Sequence, residues 1–251
     1  MAEIREDPEW VGWAARARCK YAVPGMDAVA VQSGTCTARD GEPLPFDVYG
    51  TGAETAVVLF IHGGPIPGNL ITPPTEWGLF QSLARLVAAS GIAAVVFNHR
   101  FFSAELVPTA MNDIEDMFRH LSAKRICLWV FSGGGSLMSR FLRDTPESVR
   151  AFVAYYAALH AKTAEYSAAN ALAENSGRVP PMLIARAGLD TPEMNGAIDH
   201  FIAAALEKNA EVDVMNHPAG QHGFDFRDDN ARTREILART VEFIRQRLLG
   251  E

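Results

Sequence analysis

The run Cys127-Leu128-Trp129-Val130-Phe131 is apolar and β-favouring, and it stops on Ser132; Gly133, Gly134 and Gly135 follow before Leu137 to Arg143 resumes at helical spacing. An apolar strand that turns directly into a helix needs cover on both of its faces, which demands a layered α/β architecture. The glycines let the backbone bend sharply and bring the helix close, while the first helical N–H groups point at whatever Ser132 holds. Ser132 is therefore expected on an exposed turn suited to nucleophilic attack. The other use of such a turn is anion binding in a nucleotide fold, but neither G-x-G-x-x-G nor G-x-x-x-x-G-K-[ST] occurs in the chain.

Around this turn the sequence alternates between two rhythms. Val29 to Thr37 and Leu44 to Tyr49 read as strands joined at Asp40-Gly41-Glu42-Pro43, an antiparallel hairpin. Ala56 to Ile61, Ala93 to Phe97, Ile126 to Phe131, Val149 to Ala157, Pro181 to Ala187 and Val212 to Asn216 read as further strands. Helical patterns separate them at Leu79 to Ala89, Met111 to Leu121, Leu137 to Arg143, Glu193 to Glu207 and Thr233 to Leu249. The prediction is an α/β fold, a mostly parallel sheet of about eight strands with helices on both faces, whose ligands bind beyond the carboxyl ends of the strands. In the helix Met111 to Leu121, Asp113 and Asp116 are expected to face out. Residues 1–251 are read as one domain with an N-terminal arm over 1–28, containing Trp10 and Trp13, and a small cap-like insertion over 160–179.

Net charge −7 with no basic block argues against nucleic acid or an anionic membrane as partner. Met1 to Pro8 lacks the apolar core of a leader, and no run approaches a membrane span, so a cytoplasmic location is expected. Cys19, Cys36 and Cys127 are widely spaced and suggest neither disulfides nor a zinc site. Oligomeric state is not readable from the chain.

A serine hydroxyl is a weak nucleophile and needs a base, a group to orient the base, and donors for the oxyanion. Of the seven histidines, His120 and His200 lie in helical patterns, while His62, His99 and His160 lie upstream of the candidate acid. His217 and His222 remain. His222 is favoured because glycines flank its loop after the last strand, leaving the imidazole free to reach over the sheet; His217 sits tucked beside Pro218. Asp190 ends another strand and is the candidate orienting carboxylate, with capping of the next helix as its alternative duty. Asp225 and Asp228 are too close in sequence to His222 to reach it easily. His62-Gly63-Gly64-Pro65 follows the strand Ala56 to Ile61, and since Pro65 has no N–H, the oxyanion donors are expected at Gly64 and Gly133. His62 is read as a brace for this loop.

The order Ser132, Asp190, His222 behind His62-Gly63-Gly64-Pro65 resembles the α/β-hydrolase superfamily. Leu44 to Tyr49, Phe97-Asn98-His99-Arg100 and Phe131 to Gly135 are similar to its esterase and lipase branch, which includes dienelactone-hydrolase-like and acyl-peptidase-like enzymes. The resemblance covers the chain after about Thr37. It implies Ser132 as nucleophile, His222 as base, Asp190 as its orienter, and Gly64 and Gly133 as oxyanion donors. It departs from the pattern at Val130, where G-x-S-x-G has its first glycine, so a tilted turn or unusually small neighbours are expected there.

The implied activity is hydrolysis of small to medium carboxylic esters with no metal or organic cofactor and a small-molecule ester as partner. Pro65, Phe101, Phe102 and Leu159 are the expected pocket residues. An amidase or peptidase of the same fold, and a hydrolase-like protein that binds without turnover, are the competing readings.

Overall fold

Strands that are apolar at nearly every position must be buried on both sides, and three of them occupy the middle of the sheet. The computed structural model describes residues 7–250. Its strands are β1 (Val31–Thr37), β2 (Pro43–Tyr49), β3 (Ala56–Ile61), β4 (Ala93–Phe97), β5 (Arg125–Phe131), β6 (Val149–Tyr155), β7 (Met182–Ala187) and β8 (Val212–His217). They form one 8-stranded sheet in the order β1-β2-β4-β3-β5-β6-β7-β8. The predicted hairpin is present: β1 pairs antiparallel with β2, with Val31 opposite Tyr49, and β2 pairs antiparallel with β4. All later pairings are parallel.

The helices are α1 (Glu9–Arg16), α2 (Gly78–Ala89), α3 (Val107–Leu121), α4 (Ser139–Arg143), α5 (Ala168–Glu174), α6 (Pro192–Glu207), α7 (Phe224–Arg227) and α8 (Ala231–Leu249). The alternation of side chains along β5 divides the core in two. Ile126, Leu128 and Val130 pack with α3, α4, α5 and α6, whereas Cys127, Trp129 and Phe131 pack with α1, α2 and α8. Trp129 anchors the second layer, stacked on Phe60 at 5.2 Å and edge-on to Tyr155 at 5.1 Å between ring centroids.

Two expectations change. Asp113 and Asp116 are buried, not outward-facing. Asp113 accepts the Arg100 backbone N–H at 2.9 Å and the Arg100 guanidinium, and Asp116 accepts the Arg39 N–H at 2.7 Å. Polar spacing on a helix cannot tell water from a neighbouring segment that brings its own donors, and here the hairpin turn and the segment after β4 do so. The helix after Ser132 begins as a 3-10 segment, Ser132–Met138, before α4. Residues 160–179 add α5 to the helix layer, with Ala168, Ala169, Ala171 and Leu172 buried between α4 and α6.

The arm folds back onto α2. Its helix, α1, covers Glu9–Arg16. Asp7 accepts the N–H groups of Ile71 and Thr72 at 2.6 and 2.8 Å, and the Cys19 N–H donates to Ser82 Oγ at 2.9 Å. Residues 1–6, on which most of the reading of the chain start rests, lie outside the described residues. Among the described residues, no helix is long and apolar enough to cross a membrane.

Candidate active site

Every strand of the parallel set delivers its following loop to one edge, and the chemistry-bearing side chains meet there. Ser132 leaves β5 with φ of +50°, a left-handed conformation that a non-glycine residue adopts only under constraint. The constraint is visible in the glycines that follow. A Cβ on Gly133 would lie 1.9 Å from the Gly64 carbonyl oxygen, one on Gly134 2.6 Å from the His62 carbonyl oxygen, and one on Gly135 2.8 Å from the Ala158 backbone. The Ser132 carbonyl accepts the Ala158 N–H at 2.8 Å. The turn is thus clamped between the loops after β3 and β6. Val130 is fully buried, pairs with Ile61 and Ala154, and packs toward α4, so close approach is carried by residues 133–135 and small Ala154 is its neighbour on β6.

Asp190 and His222 come from the loops after β7 and β8, which are laced together. The N–H groups of Gly188 and Leu189 donate to the carbonyls of His217 and Gly220, each at 2.9 Å. Asp228 accepts the Gln221 N–H at 2.8 Å, fixing the other side of the histidine loop. His222 Nδ1 lies 2.6 Å from Asp190 Oδ2, and its Nε2 lies 2.9 Å from Ser132 Oγ. A carboxylate can only accept, so the ring proton belongs on Nδ1, leaving Nε2 to accept from the Ser132 hydroxyl. Thr191 caps α6, accepting the Met194 N–H, which leaves Asp190 free for His222; its second oxygen accepts the Thr191 N–H at 2.8 Å. His217 is buried and turned to Thr233 at 3.1 Å, away from Ser132.

Gly63 and Gly64 lie directly over the serine, and a Cβ on Gly63 would sit 2.7 Å from Ser132 Cβ. Among the described residues, the N–H groups of Gly64 and Gly133 donate to no protein acceptor. His62 lies beneath, with Nδ1 2.6 Å from the Gly63 carbonyl and its ring stacked 3.5 Å from that of His99. Burial lowers His62 to about 4 and His99 well below its ordinary value, so the stacked pair is neutral.

A cavity of about 350 Å³ opens beside Ser132 and His222. Pro65 lies among its lining residues, and its walls are Trp10 and Trp13 of α1, Trp77, Phe80, Phe131, and Phe226 of α7. Phe101, Phe102 and Leu159 are not among its lining residues. Phe101 packs on Gly64 and its carbonyl accepts the Ile66 N–H, Phe102 packs on Gly68, and Leu159 is buried under α5. Sequence reasoning missed the tryptophans because the direction of a terminal arm is a tertiary property; their i, i+3 spacing on a short helix was the available signal.

Tyr156, at φ +38°, places its ring 4.7 Å from that of His222 and donates its hydroxyl to Asp225 Oδ1 at 2.7 Å. Asp225 is fully buried, and burial raises its carboxyl to about 7, against the opposing effect of the Tyr156 hydrogen bond. The folded chain therefore holds this proton more tightly than the unfolded chain. Its stabilisation is complete below about pH 4, the unfolded-state value, and is lost as pH rises through about 7. Asp225→Asn, which keeps shape without a charge, should remove that loss: between pH 5 and 8 the parent Tm should fall by about 5–10 °C relative to the variant. Parallel pH dependence of the two melting curves would contradict this.

No protein-family model and no curated protein matches the sequence. Solved structures do. Brefeldin A esterase, described as a bacterial homologue of human hormone sensitive lipase, aligns over 96% of this chain and 83% of its own with TM-score 0.73 at 16% identity. The chain has the α/β-hydrolase fold. Esterase LipW from Mycobacterium marinum aligns over 97% of this chain and 96% of its own, with TM-score 0.65 and 14% identity. A candidate dipeptidyl aminopeptidase IV from Bacteroides ovatus aligns over 88% of this chain but 36% of its own, with TM-score 0.68 and 17% identity. Within the α/β-hydrolase fold, Ser132 occupies the strand-to-helix turn after β5.

Proposed function

We propose that the protein is a serine carboxylesterase that hydrolyses small to medium esters through an acyl-enzyme on Ser132. The observation that carries this is the line of two hydrogen bonds from Asp190 through His222 to Ser132. His222 takes the serine proton as Oγ attacks the ester carbonyl, and the developing imidazolium is held by Asp190. The N–H groups of Gly64 and Gly133 receive the oxyanion. His222 then returns the proton to the departing alkoxide, and a water activated by the same ring releases the acid. A cavity of about 350 Å³ suits a small or medium ester.

The fold neighbours named as esterases favour ester over amide chemistry, and the likeness to the Bacteroides ovatus protein favours the amide reading. A fluorophosphonate probe should add one equivalent of mass on the peptide bearing Ser132. In parallel, a p-nitrophenyl acyl ester should turn over at least about 10³-fold faster than the matched p-nitroanilide, since an amide needs leaving-group protonation that an activated ester does not. Absence of labelling would sink the nucleophile assignment, and comparable rates would favour the amidase.

A further inference from the structure

The cavity beside Ser132 is walled by aromatic rings and carries a single cationic side chain, Arg227. Most other arginines described face a carboxylate, including Arg39, Arg100, Arg140, Arg143 and Arg186. Arg227 has none among the described residues. Its guanidinium instead lies over the Trp13 ring, with Cζ 4.8 Å from the centroid. A cation–π contact engages the charge and not the N–H donors as hydrogen bonds, and the guanidinium fork matches a carboxylate with two parallel hydrogen bonds.

The neighbouring groups favour the same ligand. Trp13 also packs on Phe226, ring centroids 4.7 Å apart, and Trp10 is edge-on to Trp77 at 5.4 Å, so the arm presents an aromatic wall. The Tyr156 hydroxyl is committed to Asp225, and Asp228 is committed to Gln221, so neither competes for Arg227. Lys20 joins Arg227 in the adjoining cleft, where Glu9 is the one carboxylate. In a chain of net charge −7 an anionic substrate would be repelled by the surface as a whole, and a local cation at the cavity is what would admit it.

The geometry points to Arg227 as a specificity-determining residue that selects esters carrying a carboxylate on an aromatic body, the aromatic part lying against Trp10, Trp13 and Phe226 and the carboxylate reaching the Arg227 edge. This rests on Ser132 being the esterase nucleophile. No catalytic step is assigned to Arg227; its contribution is to binding.

The test uses 4-acetoxybenzoate and its size-matched neutral counterpart 4-acetoxybenzamide, with kcat/KM for acetyl ester cleavage measured in parallel. The parent enzyme should prefer the benzoate. Arg227→Gln should lower the benzoate-to-benzamide ratio of kcat/KM by about 10-fold or more, mainly through KM, because a charge-assisted hydrogen bond contributes about that much. Arg227→Lys should retain part of the ratio. Raising the salt concentration should compress the ratio in the parent and leave it flat in Arg227→Gln. A ratio unchanged by Arg227→Gln, with both esters slowed alike, would mean that Arg227 only pins the arm through Trp13, and the proposal would fall. Should neither ester be cleaved, calorimetric binding of 4-hydroxybenzoate against 4-hydroxybenzamide to the Ser132→Ala protein decides the point separately. Preferential binding of the benzoate, lost with Arg227→Gln, would uphold the carboxylate site while the esterase reading failed; equal binding would overturn it.

Discussion

Replacing Ser132 by Ala should lower ester turnover by about 10⁶-fold, and combining it with His222→Ala should lower it little further. The reason lies in how the three side chains are joined. Ser132 Oγ is 2.9 Å from His222 Nε2, and His222 Nδ1 is 2.6 Å from Asp190. Once the hydroxyl is gone the imidazole has no proton to take from it, so the second substitution removes a group already idle. Residual hydrolysis would then come from the oxyanion donors and binding alone, about 10³-fold over water. Single-turnover kinetics on the two single variants and the double variant give the comparison. Strictly additive losses would mean that the two residues act in separate steps, which the hydrogen-bonded line does not allow.

Gly133→Ala is the second large effect. A Cβ at this position would lie 1.9 Å from the carbonyl oxygen of Gly64, inside any tolerable contact, and the obstacle is backbone that cannot rotate away. The loop after β3 must withdraw, and with it the Gly64 N–H. Loss of one oxyanion donor costs about 10²–10³-fold in kcat. Displacing a loop that carries one donor while disturbing the other should reach the upper end of that range. KM should change much less, because the oxyanion forms only along the reaction path. Measured kcat within about threefold of the parent would remove Gly64 and Gly133 from the proposed oxyanion site.

Much of the fold is readable from residues because its central strands have one solution. Val57 to Phe60 and Ile126 to Phe131 offer no polar face, so each must be covered on both sides, and the glycines after Ser132 leave one way to turn out of β5. Ser132, Asp190 and His222 are legible for a related reason. Each lies at or just beyond the carboxyl end of a strand, and a parallel sheet brings those ends to one edge. The walls of the cavity are not legible in that way. Trp10 and Trp13 reach the site through the docking of an arm, and nothing local to residues 9–16 specifies α2 and α7 as the partners. Asp113 and Asp116 mislead for a comparable reason: their donors, Arg100 and Arg39, come from outside α3, Arg39 from the hairpin turn. Val130 is the converse case, since a side chain that looks obstructive in the motif is accommodated once Ala154 stands beside it on β6.

The arm is joined to the rest of the fold by buried Val11 and Ala14, by Asp7 on the segment of Ile71 and Thr72, Cys19 on Ser82 and the Lys20 N–H on the Asp225 carbonyl at 2.8 Å, and by aromatic contacts through Trp10 and Trp13. Sheet and triad contribute no tryptophan of their own to the wall that the arm supplies. Substitutions in residues 9–16 can therefore reshape what enters the cavity without altering the strands that position Ser132, Asp190 and His222. The arm is one side of a cavity whose other sides include Phe131, next to Ser132, and Phe226 of α7, so a change in residues 9–16 alters one wall while the strand ends keep the rest.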